Sequence, residues 1–246
     1  MGRMGNYLFE CATAWAYAKR NGLEFSIPHW CSDPFHNPVY LPHLRNENFN
    51  PHLQSIIIQE KQHQYQELPF SEEWVNKNII LIGYWQTEKY FKEYRTELLA
   101  AINYPWEPEL DTVSIHVRRG DYVTFVEKHP VVPDEYYHQS IEYFTERGMF
   151  RFRIFSDDIP WCKEYFINSK FPGVQFVFSE GHTIEEDMRR GSCCLHHINS
   201  SSTYSWWMAW LNRNANKIVI TPKAWFTPNF GALDVSDIVP DNWIKM

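Results

Sequence analysis

The sequence has no excess of basic residues, no long apolar run and few cysteines. Its formal net charge of −7 argues against nucleic acid as the main partner, because phosphate backbones require a basic face. No stretch of about 18 apolar residues and no signal-peptide pattern is present, so we expect no membrane span. The five cysteines are odd in number, and their spacing does not match a paired zinc knuckle. We therefore expect a cytoplasmic protein whose thiols stay buried and reduced.

Aromatic residues are abundant instead. They make up 17% of the chain and include 11 Trp. Most of these side chains belong in a core, although the faces of Trp and Tyr are also what protein sites place against sugar rings. With 246 residues, 44% of them hydrophobic, the chain can bury a substantial core in one domain or in two small lobes.

A proline-broken segment at residues 104–108 separates two predicted lobes, 1–105 and 106–246. In the first lobe we predict helices at residues 6–20 and 87–102 and strands at residues 23–27, 54–59 and 79–84. Residues 29–45 are predicted to form a loop. A strand would normally precede the first helix. The sequence begins at Met1, so we expect that first strand to be missing or reduced to two residues.

The second lobe shows a regular alternation of strands and helices. The predicted strands are 113–117, 152–155, 174–178, 194–198 and 217–220, and the predicted helices are 134–147, 160–166, 184–190 and 203–212. The third of these helices begins with a capping box formed by Thr183 and Glu186. This alternation predicts an α/β fold in which a parallel sheet has helices on both faces.

The strand at residues 113–117 ends in Arg118, Arg119 and Gly120. Apolar residues alternate with polar ones, including His116, until this turn. Ligands of open α/β sheets bind beyond the carboxyl ends of the strands, and guanidinium matches phosphate oxygens. We expect an anion site here, and the alternative is an exposed strand end with solvated arginines.

Residues 199–203 place several hydroxyl groups between a strand and a helix. Ser202 and Thr203 lie where the helix is predicted to begin. Hydroxyls and free N–H groups at a helix start can hold phosphate, so this segment would supply the second half of the anion site. The alternative is a plain N-cap.

Two groups of residues could be interpreted as metal sites, and neither is favoured. Asp157 and Asp158 are adjacent, so their side chains diverge and chelate poorly; we expect Asp157 near the ligand and Asp158 at a helix N-cap. His196 and His197 face opposite sides of a strand, so they cannot hold one ion together with His182. We predict no metal site and no cofactor.

Three stretches resemble, in the family's order, the motifs of the α-1,2-fucosyltransferases of glycosyltransferase family 11. They are Gly2–Asn6 with Leu8-Phe9, residues 114–123, and residues 193–211. The chain is similar to the soluble bacterial members and not to the animal members, which carry a membrane anchor. The resemblance implies a GT-B-like fold with two Rossmann-like lobes, the first on the acceptor side and the second binding the nucleotide sugar.

The resemblance also implies roles for individual residues. Arg118 would bind the β-phosphate of GDP-fucose, the donor co-substrate, with help from the glycine loop at Gly5 and Asn6 and from the hydroxyls of Ser202 and Thr203. Together with Arg118, the implied catalytic set comprises His116, Asn6 and Asp121.

Asp187 would accept hydrogen bonds from N1–H and N2–H₂ of guanine. Without the resemblance, Asp187 could equally be a solvated acid beside Arg190.

The implied reaction inverts β-linked fucose onto a galactose-containing glycan without a metal ion. An acceptor hydroxyl then needs a general base, for which Asp121 is the first candidate, ahead of Glu127 and His129. One departure is Tyr7, where the family usually has Gln. Two alternatives remain open: a transferase of the same fold with another nucleotide sugar, and a non-catalytic carbohydrate-binding relative.

Overall fold

The computed structural model describes residues 4–26, 50–127, 129–168, 171–230 and 233–246. They form two compact units, Met1–Tyr104 with Leu233–Pro240, and Pro105–Ala232 with Asp241–Met246. The sequence analysis assigns residues 233–240 to the second lobe, whereas the structure groups them with the first unit. The loop expected at 29–45 and the residues before Met4 lie outside the described ranges.

The N-terminal unit contains two helices and a two-stranded parallel sheet. The elements are α1 (Met4–Arg20), β1 (Ser55–Gln59), β2 (Asn78–Ile82) and α2 (Arg95–Ile102). Helix α1 begins two residues earlier than expected, because Met4 packs into the core, so Gly5 lies within the helix. The helix ends at Arg20, as the sequence predicts, and Gly22 beyond it has a φ of 64°.

Two predictions for this unit are wrong. The strand expected at 23–27 is irregular over 23–26 and lies outside the two-stranded sheet, and Ile27 is not described. The helix expected at 87–102 is broken into two short 3₁₀ turns followed by α2. Phe91 leaves the helical conformation, with a φ of −139°, so that it and its neighbour Tyr90 can both be buried. Tertiary packing overrides helix propensity here.

The C-terminal unit is a parallel sheet with its helices, as predicted, and the sheet has six strands where five were expected. Its elements are β3 (Glu109–Val117), α3 (Asp134–Thr145), β4 (Arg151–Ser156), α4 (Ile159–Asn168), β5 (Gln175–Phe178), α5 (Ile184–Ser192), β6 (Cys194–Ile198), α6 (Thr203–Leu211), β7 (Val219–Thr221) and β8 (Ile244–Lys245). The capping box of α5 is present. The sequence analysis did not predict β8.

Helices cover both faces of this sheet. On one face, Ile115 of β3 packs with Ile141 of α3 and Phe166 of α4 in a buried cluster. On the other face, α5 contacts β4 and α6. Just after α6, Asn212 contacts His197 of β6, with the amide nitrogen 2.7 Å from Nε2. The α/β fold with a parallel, helix-covered sheet is therefore confirmed.

The strand order β5-β4-β3-β6-β7-β8 reverses its direction between β3 and β6. The chain runs outward from β3 to β5 and then returns to start again at β6. Open α/β sheets bind ligands at this reversal, beyond the carboxyl ends of the strands. The residues that follow β3 and β6 therefore occupy the expected ligand position.

No helix among the described residues is both long enough and apolar enough to cross a membrane. The thiols of Cys11, Cys162, Cys193 and Cys194 are free and buried, as expected, while Cys31 lies outside the described residues.

Candidate active site

Arg118 follows β3 directly and forms ion pairs with two carboxylates. Its Nη1 lies 2.8 Å from Oδ2 of Asp157 at the end of β4, and its Nη2 donates to Oδ1 of Asp121. The Arg118 side chain is 14% exposed, and its guanidinium lies over the Tyr122 ring, 5.5 Å from the centroid. Arg118 is thus held in one orientation, and its exposed fraction remains open to an anion.

Arg119 joins the same two strand ends. Its backbone N–H donates to Oδ1 of Asp157 at 2.9 Å, and its Nε donates to Oδ2 of Asp158 at 3.1 Å. The guanidinium lies 3.9 Å from the ring centroid of Trp161. Asp158 also caps α4, because its Oδ1 accepts the N–H of Trp161, as the sequence predicts. Arg119 therefore connects the β3 and β4 ends, and its side chain is 21% exposed.

The contact between Gly120 and Asp157 requires a glycine. A Cβ atom at Gly120 would lie 2.5 Å from Oδ2 of Asp157, far below the closest approach of real atoms. The same Oδ2 pairs with Nη1 of Arg118. Because Gly120 has no side chain, the Asp157 carboxylate can contact both Arg118 and the backbone N–H of Arg119. Gly120 thus contributes to the position of Arg118 through Asp157.

His116 is buried on β3, two residues before Arg118, and its Nδ1 lies 2.8 Å from Oγ of Ser200. Burial lowers the pKa of His116 to about 4, and the nearby charge of Asp157 opposes this shift. The imidazole is therefore neutral at neutral pH. The ring also lies 5.2 Å from that of Tyr204 in α6.

The segment after β6 is a buried hydroxyl-rich turn that leads into α6. Ser202 is the N-cap, and its side chain accepts the N–H of Tyr204 at 3.3 Å. The Ser201 hydroxyl donates a hydrogen bond to the carbonyl of Ala224. The Tyr122 hydroxyl donates a hydrogen bond to the backbone carbonyl of Ser201. These hydroxyls are used to hold the turn. What the turn offers an anion is the N-terminal end of α6, where Thr203 is the first residue.

Asp187 lies on α5 and is half-buried, and the charge of Arg190 is close enough to lower its pKa. Its Oδ1 accepts a hydrogen bond from Oγ of Ser179 at 2.6 Å. Burial raises the pKa of Asp187, while the bond from Ser179 opposes the rise. Helix α5 is tied to α6, because the Tyr204 hydroxyl donates to the carbonyl of Ile184.

The histidines considered for a metal site are separated as predicted. His196 accepts the N–H of Ile218 and stacks on Phe144, whereas His197 contacts Ser114 on the opposite face. Within the ranges described, no group of three or more His, Cys, Asp and Glu side chains is arranged to hold a metal ion.

Three residues were considered as the base. Asp121 pairs with Arg118, and its side chain is 33% exposed. The His129 ring stacks on that of Tyr122 with 4.3 Å between centroids. The backbone carbonyl of Glu127 accepts from Thr227. Asp121 thus contacts Arg118 directly, and His129 stacks on Tyr122, whose ring lies next to the Arg118 guanidinium.

Gly5 and Asn6 belong to the N-terminal unit, in the first turn of α1. Oδ1 of Asn6 accepts a hydrogen bond from Nε2 of Gln86 at 3.0 Å. Gln86 is not among the candidate site residues that the sequence patterns indicate. The signal that could have revealed it is the polar residue following Gly83-Tyr84-Trp85 at the end of a predicted strand, the position at which α/β lobes bind ligands.

The sequence was compared with protein-family profiles and with known proteins. The profile described as "Glycosyl transferase family 11" matches residues 1–246. Alpha-1,2-colitosyltransferase of Escherichia coli is 38% identical over 187 residues, which are 69% of this chain and 63% of that protein. Galactoside alpha-(1,2)-fucosyltransferase 2 of Sus scrofa is 28% identical over 247 residues, 86% and 68% of the two chains.

A crystal structure of POFUT1 in complex with GDP-fucose aligns with a TM-score of 0.44 at 12% identity, over 89% of this chain and 95% of that chain. The chain spans less than two thirds of the length of the colitosyltransferase, of which it covers 63%. The resemblance of the three sequence motifs is confirmed by the profile, which matches the whole chain, and the protein belongs to glycosyl transferase family 11.

Proposed function

We propose that the protein transfers L-fucose from GDP-β-L-fucose to a galactoside hydroxyl, with inversion at the anomeric carbon, to form an α-1,2 linkage. The observation that carries the proposal is the position of Arg118 beyond β3, at the reversal of strand order and between two carboxylates. In this proposal the C-terminal unit binds the nucleotide sugar and the N-terminal unit faces the acceptor.

Arg118 acts on the leaving group. Negative charge develops on the terminal phosphate as the sugar–oxygen bond breaks, and a fixed guanidinium stabilises it without reorganisation. The N–H groups at the start of α6 and one N–H of neutral His116 assist. These groups supply the electrostatic stabilisation, so transfer proceeds without a metal ion or cofactor.

Asp187 selects the base of the nucleotide. Guanine presents N1–H and N2–H₂ side by side, and a carboxylate accepts both. The bond from Ser179 orients the Asp187 carboxylate for this contact. Asp121 is the general base, because its pairing with Arg118 puts its carboxylate, whose side chain is 33% exposed, at the edge of the phosphate site; His129 is the second choice.

A second donor is favoured by one comparison. The relative named Alpha-1,2-colitosyltransferase is 38% identical, against 28% for the named fucosyltransferase. Colitose is fucose without its 3-hydroxyl, so the same phosphate and guanine contacts would serve its GDP ester. The two donors differ only in the sugar, so only the part of the site that binds the sugar would distinguish them.

The test supplies the protein with GDP-fucose, the GDP ester of colitose or UDP-galactose, each with a panel of galactosides such as lactose. Mass spectrometry detects the product, and NMR defines its linkage. We expect an α-1,2-linked product from one of the two GDP sugars and none from UDP-galactose. Binding of GDP without transfer to any acceptor would favour the carbohydrate-binding alternative, and transfer from UDP-galactose would contradict the donor assignment.

A further inference from the structure

The loops that follow β1 and β2 lie side by side in the N-terminal unit. The two strands are parallel, so the loops, at residues 60–66 and 83–87, leave the same edge of the sheet. Glu60 joins them, because its Oε2 accepts the N–H of Tyr84 at 2.7 Å and its Oε1 accepts the N–H of Trp85 at 3.0 Å. Parallel α/β sheets bind their ligands at this edge, beyond the carboxyl ends of the strands.

The loop after β2 is held in a strained conformation. Trp85 has a φ of 54° although its side chain is completely buried, and residues other than glycine are strained there. A Cβ atom at Gly83 would lie 2.3 Å from Cβ of Glu60, so the close approach of the two loops depends on glycine. Strain of this kind persists where the surrounding structure enforces it, which is common at functional sites.

This arrangement leaves two tyrosine rings on the surface. Tyr84 is 37% exposed and Tyr65 is 39% exposed. The His63 ring lies nearly parallel to that of Tyr84 with 6.2 Å between centroids, and Tyr65 packs on the buried ring of Tyr90 at 5.0 Å. The exposed hydroxyls of Tyr65 and Tyr84 have no hydrogen-bond partner among the residues described. The rings of His63, Tyr65 and Tyr84 together form an aromatic platform.

The loop after β1 is also fixed by long-range contacts. The backbone N–H of Tyr65 donates to Oδ2 of Asp237 at 2.9 Å, and that of Gln66 donates to the hydroxyl of Tyr90 at 3.0 Å. Asp237 belongs to the same unit. The platform is therefore held in place before any ligand binds, which lowers the entropic cost of binding.

Exposed aromatic rings beside amide groups match the surface of a sugar. Galactose has one face formed by its C–H groups at C3, C4 and C5, and hydroxyls around its edge. The C–H face packs on the negative face of an aromatic ring. In the same loop, Nε2 of Gln62 donates to Oε1 of Gln64 at 3.4 Å, so the exposed Oε1 of Gln62 remains an acceptor for a sugar hydroxyl.

Two other kinds of ligand fit this surface less well. A purely apolar partner would leave the tyrosine hydroxyls and the Gln62 amide without hydrogen bonds. A nucleotide needs positive charge, whereas residues 60–67 carry two glutamates, Glu60 and Glu67, and one lysine, Lys61. A neutral sugar satisfies both the rings and the polar groups.

We propose that the aromatic platform is a binding site for a galactose residue, whose C–H face packs on Tyr84 and Tyr65. That this galactose belongs to the acceptor glycan rests on the proposed function. The contacts lie within the N-terminal unit, so they do not require a bound donor.

Saturation-transfer NMR of the whole protein with methyl β-galactoside, in the absence of a donor, tests the site. We expect the strongest transfer to H3, H4 and H5 of the sugar. Tyr84→Ala should raise the Kd about fivefold, the scale of one aromatic contact, whereas Tyr84→Phe keeps the ring and should bind as the parent does. Phe150→Ala removes a ring that is 46% exposed in the C-terminal unit and should change nothing.

Circular dichroism confirms that each variant is folded, and Tyr65→Ala decides where Tyr84→Ala does not fold. Three results would overturn the proposal. They are the absence of saturation transfer from the parent, a Kd within twofold of the parent for the folded alanine variant, and an equal loss in Tyr84→Phe and Tyr84→Ala.

The transfer assay gives a second readout that separates acceptor from donor. We expect Tyr84→Ala to raise KM for lactose about fivefold and to leave KM for the GDP sugar unchanged. Equal rises in both KM values would contradict a glycan site. If the parent transfers no sugar, the proposed function fails, and the NMR titration still decides whether the platform binds galactose.

Discussion

Arg118 and Asp157 face each other across neighbouring strand ends, with Nη1 of the arginine 2.8 Å from Oδ2 of the aspartate. The other carboxylate oxygen of Asp157 accepts the backbone N–H of Arg119. Both oxygens are therefore used within the protein, and the carboxylate is fixed by two strands. Arg118 is oriented before any anion arrives, which is the condition for a preorganised electrostatic site.

Gly120→Ala should disrupt this arrangement without unfolding the protein. The new Cβ would lie 2.5 Å from Oδ2 of Asp157, so Asp157 must move away from Arg118. We expect GDP affinity and transfer to fall about tenfold or more, because misplacing one charge-assisted contact costs about 1.5–3 kcal/mol. Calorimetry with GDP and the transfer assay measure the two effects.

Gly148→Ala is the matched control for Gly120→Ala. Gly148 has a φ of 82° and open space around its Cα, so alanine strains only the backbone there. We expect about 1 kcal/mol less stability and unchanged GDP affinity. The same affinity loss in both variants would mean that Gly120→Ala acts through general destabilisation and not through Asp157.

Asp187→Ala should weaken GDP binding and affect UDP binding far less. The carboxylate accepts two donors that guanine alone presents, so its loss should cost about 1.5–3 kcal/mol of GDP binding. Glu185→Ala removes the same charge from a neighbouring position of α5 and should change neither nucleotide. Equal losses for GDP and UDP would show that Asp187 supports the fold or the phosphates and does not contact the base.

The burial of His116 should make stability depend on pH in a defined window. Its pKa is about 4 in the folded protein against 6.5 for an ordinary histidine, so between these values the unfolded chain holds a proton that the folded chain lacks. Stability therefore falls as pH drops from about 6.5 to about 4, by about 3 kcal/mol in total from this group.

Urea unfolding at pH 7, 5.5 and 4.5 measures this dependence in the parent protein and in His116→Asn. Other buried histidines, such as His197, contribute equally to both proteins. We expect the variant to lose less stability than the parent over this range. Parallel curves would contradict a neutral, buried His116.

Transfer should survive EDTA. The proposed site uses the guanidinium of Arg118 and the N–H groups at the start of α6 to stabilise the leaving phosphate. Activity is measured before and after treatment with EDTA, and after Mg²⁺ or Mn²⁺ is added back. Loss of activity that a divalent ion restores would mean that the carboxylates of Asp157 and Asp158 act with a metal.

The sequence predicts the elements whose signals are local. Alternation of apolar residues predicted β3, and the pair of Thr183 and Glu186 predicted the start of α5, because these patterns act within a few residues. The anion site expected at Arg118 and Arg119 also rests on a local signal, because both arginines directly follow a predicted strand. The position of β6 beside β3 was not predicted, because no local pattern specifies strand order.

Contacts between residues far apart in the chain are not local, and no sequence pattern predicted them. Asn6 and Gln86 are 80 residues apart, and no periodicity connects a helix start with a turn after a strand. The helix expected at 87–102 failed because burial of Tyr90 and Phe91 decides the backbone there. Segment 233–240 joins the first unit through Asp237, which accepts the N–H of Tyr65, another long-range contact.

The most direct test of the account is fucosyl transfer from labelled GDP-fucose, or from the GDP ester of colitose, by the parent protein, Arg118→Ala and Arg147→Ala. Arg147 is an exposed cation that packs on Tyr143, so its loss controls for the change in charge. We expect an α-1,2-linked product from the parent and Arg147→Ala. Arg118→Ala should lose about 3 kcal/mol or more of transition-state stabilisation, at least about 100-fold in rate, while remaining folded. Transfer by folded Arg118→Ala within a few-fold of the parent would contradict the phosphate site on which the proposed function depends.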